Sequence, residues 1–451
     1  MTRSTDPRRK VLVTGGTGFV GSWITTALLE AGHEVRLAVR RPEQVARTFA
    51  GRDVVPDDVQ VVDLFDSASV AGALEGCDAV VHAAALFSLD PRKGKEVLST
   101  NERATRTVLG AAVEAGCDPV VHISSIVALL RRAGTDSSLP LGDLDLPYSQ
   151  SKIASEHVAR GLQERGAPVV SVYPGSVYGP EDPYLGEQAT RLVWVARGLF
   201  PIWPAGGMHA VDVRDTAAVV AACLQPGRGP RRYVVPGHHM TGNDLYRIVG
   251  AAIGRRRPHV SLPAWAVPAA TAPIDALQRL LPTRWRYPAD REGAELGARN
   301  TRFDTSAAEQ ELNVHARPLD ESLRDTLTWL VDAGHLPAKY RPGSRSPERA
   351  QASDRADASG ETAAWTVRLR PSGRKDAGSR VTRVAPSRKA NPQLAHGSSQ
   401  GSGMVEGHVD GLMADPPPTV LARRGSTRRA RREQQTRRWS VPPTGHRASN
   451  T

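Results

Sequence analysis

The chain holds only three cysteines in 451 residues, Cys77, Cys117 and Cys223, with no CxxC spacing and no histidine at motif distance. That scarcity argues against a disulfide scaffold or a zinc site, so no metal is expected, and it fits a reducing, cytoplasmic setting. Aromatic residues are also few, with 8 Trp, 8 Tyr and 6 Phe. No stretch reaches the roughly 18 uninterrupted apolar residues of a membrane-spanning helix. The nearest, residues 263–282, is broken by Asp275, Gln278, Arg279 and several prolines, so no transmembrane segment is expected. The basic start (Arg3, Arg8, Arg9, Lys10) leads into an apolar run that stops at Gly15-Gly16, too short for a signal-peptide core.

The formal net charge of +12 has no share in the first 340 residues, where 38 Lys+Arg face 38 Asp+Glu. This balance gives no footing for nucleic acid there. Residues 341–451 carry 21 basic and 9 acidic groups, and with seven Val, four Leu, no Ile and no Phe they hold 11 strong core formers in 111 residues. That is well below the roughly 20% under which a chain stays disordered, so a disordered basic tail is expected. Its arginine runs, Arg423-Arg424 and Arg428 to Arg432, read as an arm for nucleic acid or an acidic surface, as a solvated extension, or as a GC-rich gene read out of frame past its stop.

What is present is an alternation of short apolar runs with helical patterns. The runs Lys10 to Thr14, Val35 to Val39, Val59 to Val62, Ala79 to His82, Val120 to Ile123 and Val169 to Val172 read as strands. Helices are expected after Phe19, over 94–115 and over 149–165. Continuous apolar strands separated by helices imply a parallel sheet covered on both faces, which binds ligands at the carboxyl ends of its strands.

The first strand runs into Thr14-Gly15-Gly16-Thr17-Gly18-Phe19-Val20-Gly21, where glycines 15, 18 and 21 let the backbone turn tightly and approach a pyrophosphate at the helix N-terminus. About 20 residues further on, where NAD-binding chains place a carboxylate, this one has Val39-Arg40-Arg41. A guanidinium there suits the 2′-phosphate of NADP, so NADP (NADPH) is expected ahead of NAD; the other reading is a pair of solvated arginines. Asp63-Leu64 follows a strand and could flank the adenine. His82-Ala83-Ala84-Ala85 offers small residues where a ribose would cross, or a tightly packed turn. In Tyr148-Ser149-Gln150-Ser151-Lys152, phenol and ammonium share one helix face, and the lysine's charge would pull the phenol's pKa of about 10 toward neutrality. The fifth strand ends in Ile123-Ser124-Ser125, and a hydroxyl there can bond a substrate carbonyl or the phenol.

TGGTGFVG, Ser124-Ser125, YSQSK and Tyr173-Pro174-Gly175-Ser176-Val177-Tyr178-Gly179-Pro180, in this order, resemble the extended short-chain dehydrogenase/reductases of the NAD-dependent epimerase/dehydratase family. The likeness is greatest to their dihydroflavonol-reductase-like and hydroxysteroid-dehydrogenase-like branch, and it runs from about Lys10 to Pro337. It implies an α/β Rossmann fold, with a doubly wound parallel sheet over 1–177, a smaller mixed substrate-binding region over 178–340 with segments returning to the sheet, and the tail over 341–451. It also implies a catalytic triad of Ser125, Tyr148 and Lys152, with Ser124 as the other candidate hydroxyl. Asn101 matches a helix asparagine that helps organise the site. The cofactor would be held by Gly15, Thr17, Gly18, Phe19, Gly21, Arg40, Asp63, Leu64, Ala83, Ala84, Tyr148, Lys152, Pro174 and Val177.

Two departures matter. Tyr173 and Ser176 stand where the family usually has Arg and Asn, and Ser125 is followed by Ile126-Val127 rather than Asp-Glu, which argues against dehydration of a sugar. Asp212 and Asp215, in the segment His209 to Asp215 that should return the chain to the Rossmann domain, read as structural. Trp194, Phe200, Trp203, Trp265 and Trp285 are candidates for a pocket wall or for core.

The resemblance implies hydride transfer on a small-molecule carbonyl or alcohol substrate, and it admits a homodimer. A nucleotide-sugar epimerase with retained NAD, and a non-catalytic NADP sensor or scaffold, are the other readings. Arginines that could serve a diphosphate are Arg191, Arg197, Arg255 to Arg257, Arg284 and Arg286. Because the tail brings so little apolar surface, a chain ending near Tyr340 should fold and bind cofactor as the full chain does. Circular dichroism and cofactor titration check this, and loss of soluble protein on truncation would contradict it.

Overall fold

The computed structural model describes residues 8–86, 94–131, 138–267, 269–270, 272 and 291–343. The chain divides into two units, Met1–Pro371 and Ser372–Thr451, and every described residue belongs to the first. From residue 344 onward the expected tail lies outside the described residues, as do Trp285, Arg284 and Arg286.

Six strands alternate with helices in the first 173 residues. β1 (Lys10–Thr14) leads to α1 (Phe19–Glu30), β2 (Glu34–Val39) to α2 (Glu43–Thr48), and β3 (Asp58–Val61) to α3 (Ser67–Leu74). β4 (Ala79–His82), α4 (Gly94–Glu114), β5 (Val120–Ile123), α5 (Pro147–Gln163) and β6 (Val169–Tyr173) follow. The strands lie where the apolar runs place them, to within one residue at either end. The helix expected from Ser149 starts two residues earlier, because Pro147 fits a first helical position, where its fixed φ is preformed and no N–H is needed.

Beyond β6 the chain forms β7 (Ser176–Tyr178), α6 (Glu187–Arg197), β8 (Ile202–Pro204) and β9 (Gly207–Asp212), and returns through α7 (Val213–Ala222) and β10 (Arg231–Val234). The main sheet has the order β10-β6-β5-β4-β1-β2-β3, with every pair parallel. The re-entry expected over 209–215 is thus completed by α7, which packs on α1, and by β10, while residues 207–212 pair as β9 with β7 in a smaller sheet. That sheet is completed by β11 (His238–Thr241), and after α8 (Gly242–Ala252) a second small sheet joins β12 (Val260–Leu262) to β8. The helices α9 (Arg291–Ala298), α10 (Ser306–Leu312) and α11 (Leu319–Asp332) follow, and a 3₁₀ turn (Ala338–Tyr340) is the last element described.

Apolar clusters cover both faces of the main sheet, and a third lies among α6, α8 and α11. Asp212 and Asp215 tie these parts together. Asp212 caps α7 and is gripped by Arg214 at 2.7 and 2.8 Å, Arg214 also reaches Asp325 on α11 at 2.7 Å, and Asp215 accepts the Arg317 N–H at 2.7 Å. Both carboxylates are structural, as the sequence suggested.

Candidate active site

The turn between β1 and α1 is closed by the Gly18 N–H donating to the Gly15 carbonyl at 2.9 Å. Gly15 has φ +72°, and a Cβ on it would lie 2.5 Å from the Ala84 nitrogen; a Cβ on Gly21 would fall on the Gly15 carbonyl oxygen. α1 starts from Gly18 with no side-chain cap and no acidic residue in its first turn, which leaves its N–H groups for an anion. This close, side-chain-free cradle suits a dinucleotide pyrophosphate.

A cavity of about 510 Å³ opens on the cradle. It is lined by Gly15, Gly18, Phe19 and Gly21 from the turn, Ala83 beyond β4, Ser125 beyond β5, Tyr148 and Lys152 on α5, and Pro174 and Val177 beyond β6. Sheet order explains the convergence, since β1, β4, β5 and β6 are consecutive neighbours. Five expected cofactor residues are not on this wall. The Thr17 carbonyl accepts the Thr48 hydroxyl at 3.3 Å, the Ala84 N–H reaches the Thr14 hydroxyl at 3.3 Å, and Arg40 is exposed at the end of β2. Asp63, which bonds the Phe65 N–H at 2.9 Å, and Leu64 follow β3. Arg40, Asp63 and Leu64 therefore sit past β2 and β3, on the far side of β1 from the triad.

Of the two serines, Ser125 meets the phenol: its hydroxyl hydrogen-bonds Tyr148 and accepts the Val127 N–H at 3.2 Å, whereas the Ser124 hydroxyl is buried with no partner among the described residues. Lys152 Nζ lies 6.0 Å from the centre of the Tyr148 ring. Burial brings the Lys152 pKa down to about 8, with Glu156 opposing. The Tyr148 phenol is pushed up by burial and by the Glu187 and Glu292 carboxylates, with the Ser125 bond opposing. The phenol is thus raised, the reverse of the lowering that the lysine's charge led the sequence to suggest, and the Glu187 and Glu292 carboxylates that help to raise it are distant in sequence. Asn101 donates to the Ser151 hydroxyl at 2.8 Å and exchanges bonds with the Leu86 backbone at 2.7 and 2.9 Å, fixing α5 to α4 and to the loop after β4.

The rest of the cavity is mainly apolar, with Ile126, Val127, Leu130, Met208, Leu296 and Phe303. Of the aromatic residues considered for this wall, the four that are described lie elsewhere. Phe200 and Trp203 are buried in the cluster among α6, α8 and α11, Trp194 packs on it, and Trp265 is 76% exposed. Phe200, Trp203 and Trp194 fill a core because α6 and α8 must bury their facing sides against one another. Sequence reading missed Gln188, Glu187 and Glu292, whose placement depends on contacts that no local motif encodes. Among the described residues, no group of three or more His, Cys, Asp or Glu side chains could hold a metal, and no helix is long and apolar enough to cross a membrane.

Comparison with known proteins agrees with the fold. The sequence profile of the NAD dependent epimerase/dehydratase family matches residues 11–235. The chain is 30% identical over 247 residues to tetraketide alpha-pyrone reductase 2 of Arabidopsis thaliana, covering 48% of this chain and 74% of that protein. It is 27% identical to sterol demethylase protein B of Methylococcus capsulatus, covering 72% and 99%. A solved UDP-glucose-4-epimerase from Stenotrophomonas maltophila with bound NAD is 21% identical with a TM-score of 0.57, covering 73% and 99%, a likeness of fold. If the cradle holds a pyrophosphate, Gly21→Ala should weaken dinucleotide binding at least about tenfold, or ~1.4 kcal/mol. Calorimetric titration of folded variant and parent checks this, and equal affinities would contradict it.

Proposed function

The chain belongs to the NAD-dependent epimerase/dehydratase family as an NAD(P)-dependent oxidoreductase, and on that premise we propose that it interconverts a small, moderately apolar ketone and its secondary alcohol with NADPH as the working reductant. The observation that carries this reading is the Ser125–Tyr148 hydrogen bond at the edge of a cavity that joins a glycine cradle to an apolar wall. Residues 1–177 hold the dinucleotide, and residues 178–340 supply most of the substrate wall.

When bound, the nicotinamide supplies the hydride. Ser125 donates a hydrogen bond to the substrate's carbonyl oxygen, and Tyr148 gives that oxygen its proton. Lys152 holds the ribose hydroxyls and, with its positive charge, eases loss of the phenol proton. The buried apolar side chains beside them keep water from competing for the reacting carbon.

A nucleotide-sugar epimerase with retained NAD is the second reading, favoured by Arg191 and Arg299 on the cavity wall. Arg191, however, is engaged with Gln188 at 3.1 Å and lies 4.0 Å from Glu187; Arg197 and Arg257 bond backbone carbonyls at 3.3 and 2.9 Å. Arg40 in the place of a carboxylate also supports a consumed NADPH over a retained NAD. A non-catalytic sensor would have no use for the Ser, Tyr and Lys together.

NADPH should bind more tightly than NADH by about 1.5–3 kcal/mol, roughly tenfold to over a hundredfold, and Arg40→Asp should erase or reverse the preference. Fluorescence titration decides it, with equal affinities in the parent as the contrary result. Tyr148→Phe should bind cofactor normally and lose turnover by about 10²–10⁴-fold on a panel of ketones, secondary alcohols and nucleotide sugars. Full activity in that variant would remove Tyr148 from the mechanism.

A further inference from the structure

The N-terminus of α5 follows Leu146, which offers no side-chain acceptor to the first N–H groups of the helix. The acceptor comes from 144 residues away in the chain. Glu292 on α9 is 4% exposed, and its two carboxylate oxygens take the Tyr148 N–H at 3.2 Å and the Ser149 N–H at 3.1 Å, with the Ser149 hydroxyl at 3.4 Å. A buried negative charge therefore sits at the positive end of the helix that carries Tyr148 and Lys152. The same α9 lines the substrate side of the cavity with Gly293, Leu296 and Gly297.

We propose that Glu292 is a positioning residue of this site: it seats the N-terminus of α5 so that Tyr148 meets Ser125, and it sets a buried carboxylate beside the helix end that carries the phenol. That charge favours the protonated phenol, the form that gives a proton to a carbonyl oxygen in reduction. This rests on the reductase reading above. Ser125 beyond β5, Glu187 on α6 and Glu292 on α9 act on the phenol directly, and the other titratable or charged groups on the wall of the same cavity are Lys152 on α5, Asp182 and Tyr184 before α6, Arg191 on α6, His209 on β9 and Arg299 just after α9. After burial, Glu187 and Glu292 are the charges that raise the phenol's pKa. Reduction needs the phenol proton, so its rate falls as pH rises through that pKa; oxidation needs the phenolate and rises through the same value. Removing the Glu292 charge lowers the pKa, and both limbs move to lower pH.

Three substitutions separate charge from capping. Glu292→Gln keeps a carbonyl acceptor without the charge, Glu292→Asp keeps the charge, and Glu292→Ala removes both. The readouts are pH profiles of kcat and kcat/KM in both directions, and an ultraviolet titration of the Tyr148 phenol in the NADP⁺ complex, with Tyr148→Phe subtracting the other tyrosines. In Glu292→Gln the limbs and the phenol titration should move down by about half to one pH unit with NADPH affinity unchanged. Glu292→Asp should titrate near the parent, and Glu292→Ala should add a roughly tenfold loss of kcat as Tyr148 loses its seat. An unmoved phenol titration in Glu292→Gln would overturn the proposal. If no carbonyl compound is turned over, the reductase reading fails while the phenol titration still decides the role of Glu292.

Discussion

Lys152 carries an ammonium group, 7% exposed, under the carboxyl ends of the central strands, and its surroundings are arranged around that charge. Burying an unpaired cation costs several kcal/mol even after the protein relaxes. One helical turn further along α5, Glu156 opposes the cost, and Glu156 is held in turn by Arg160 at 3.2 Å and the Tyr173 hydroxyl at 2.6 Å. Residues 148, 152, 156 and 160 therefore form a polar stripe at four-residue spacing along a helix face pressed against the sheet. His82 completes the arrangement by staying neutral, its pKa brought down to about 3 by burial and then by Lys152, while it bonds the Thr14 hydroxyl at 2.8 Å.

This stripe links the two halves of the site. Thr14 ends β1 just before the glycine turn, so the bond from His82 joins the cofactor cradle to the residues beneath the lysine. Ser125 and the 3₁₀ turn it caps set the height of Tyr148 above the sheet, and Glu292 fixes the end of α5 from the substrate side. A carbonyl compound entering against Leu296 and Met208 would thus touch elements that already determine where the phenol stands and whether it keeps its proton.

Most strands were legible in the sequence because the inner ones are buried on both faces and so read as apolar runs, whereas β3, at the sheet edge, leaves Val61 exposed. The glycine turn was legible for a similar local reason, since Gly15 and Gly21 have no room for a side chain. Tyr148 and Lys152 lie four residues apart on one helix, so their meeting needed no tertiary information. Glu292 was invisible by contrast: it sits in a short helix after a proline- and arginine-rich stretch, and its partners are Tyr148 and Ser149. For the tryptophans the sequence left pocket wall and core open, because an apolar ring suits either, and α6, α8 and α11 gave Trp203 a core. Which of Ser124 and Ser125 bonds the phenol depends on where α5 places Tyr148, which two adjacent, identical residues do not reveal.

The central claim is that this cavity passes a hydride to a carbonyl carbon while Tyr148 supplies the proton. Its most direct test is turnover of a ketone panel with NADPH deuterated at the transferring C4 position, followed by mass spectrometry of the products. The account predicts an alcohol carrying deuterium on the carbinol carbon, with equal amounts of NADPH consumed and alcohol formed. A sugar nucleotide epimerised without net consumption of cofactor and without deuterium from the added NADPH would contradict it.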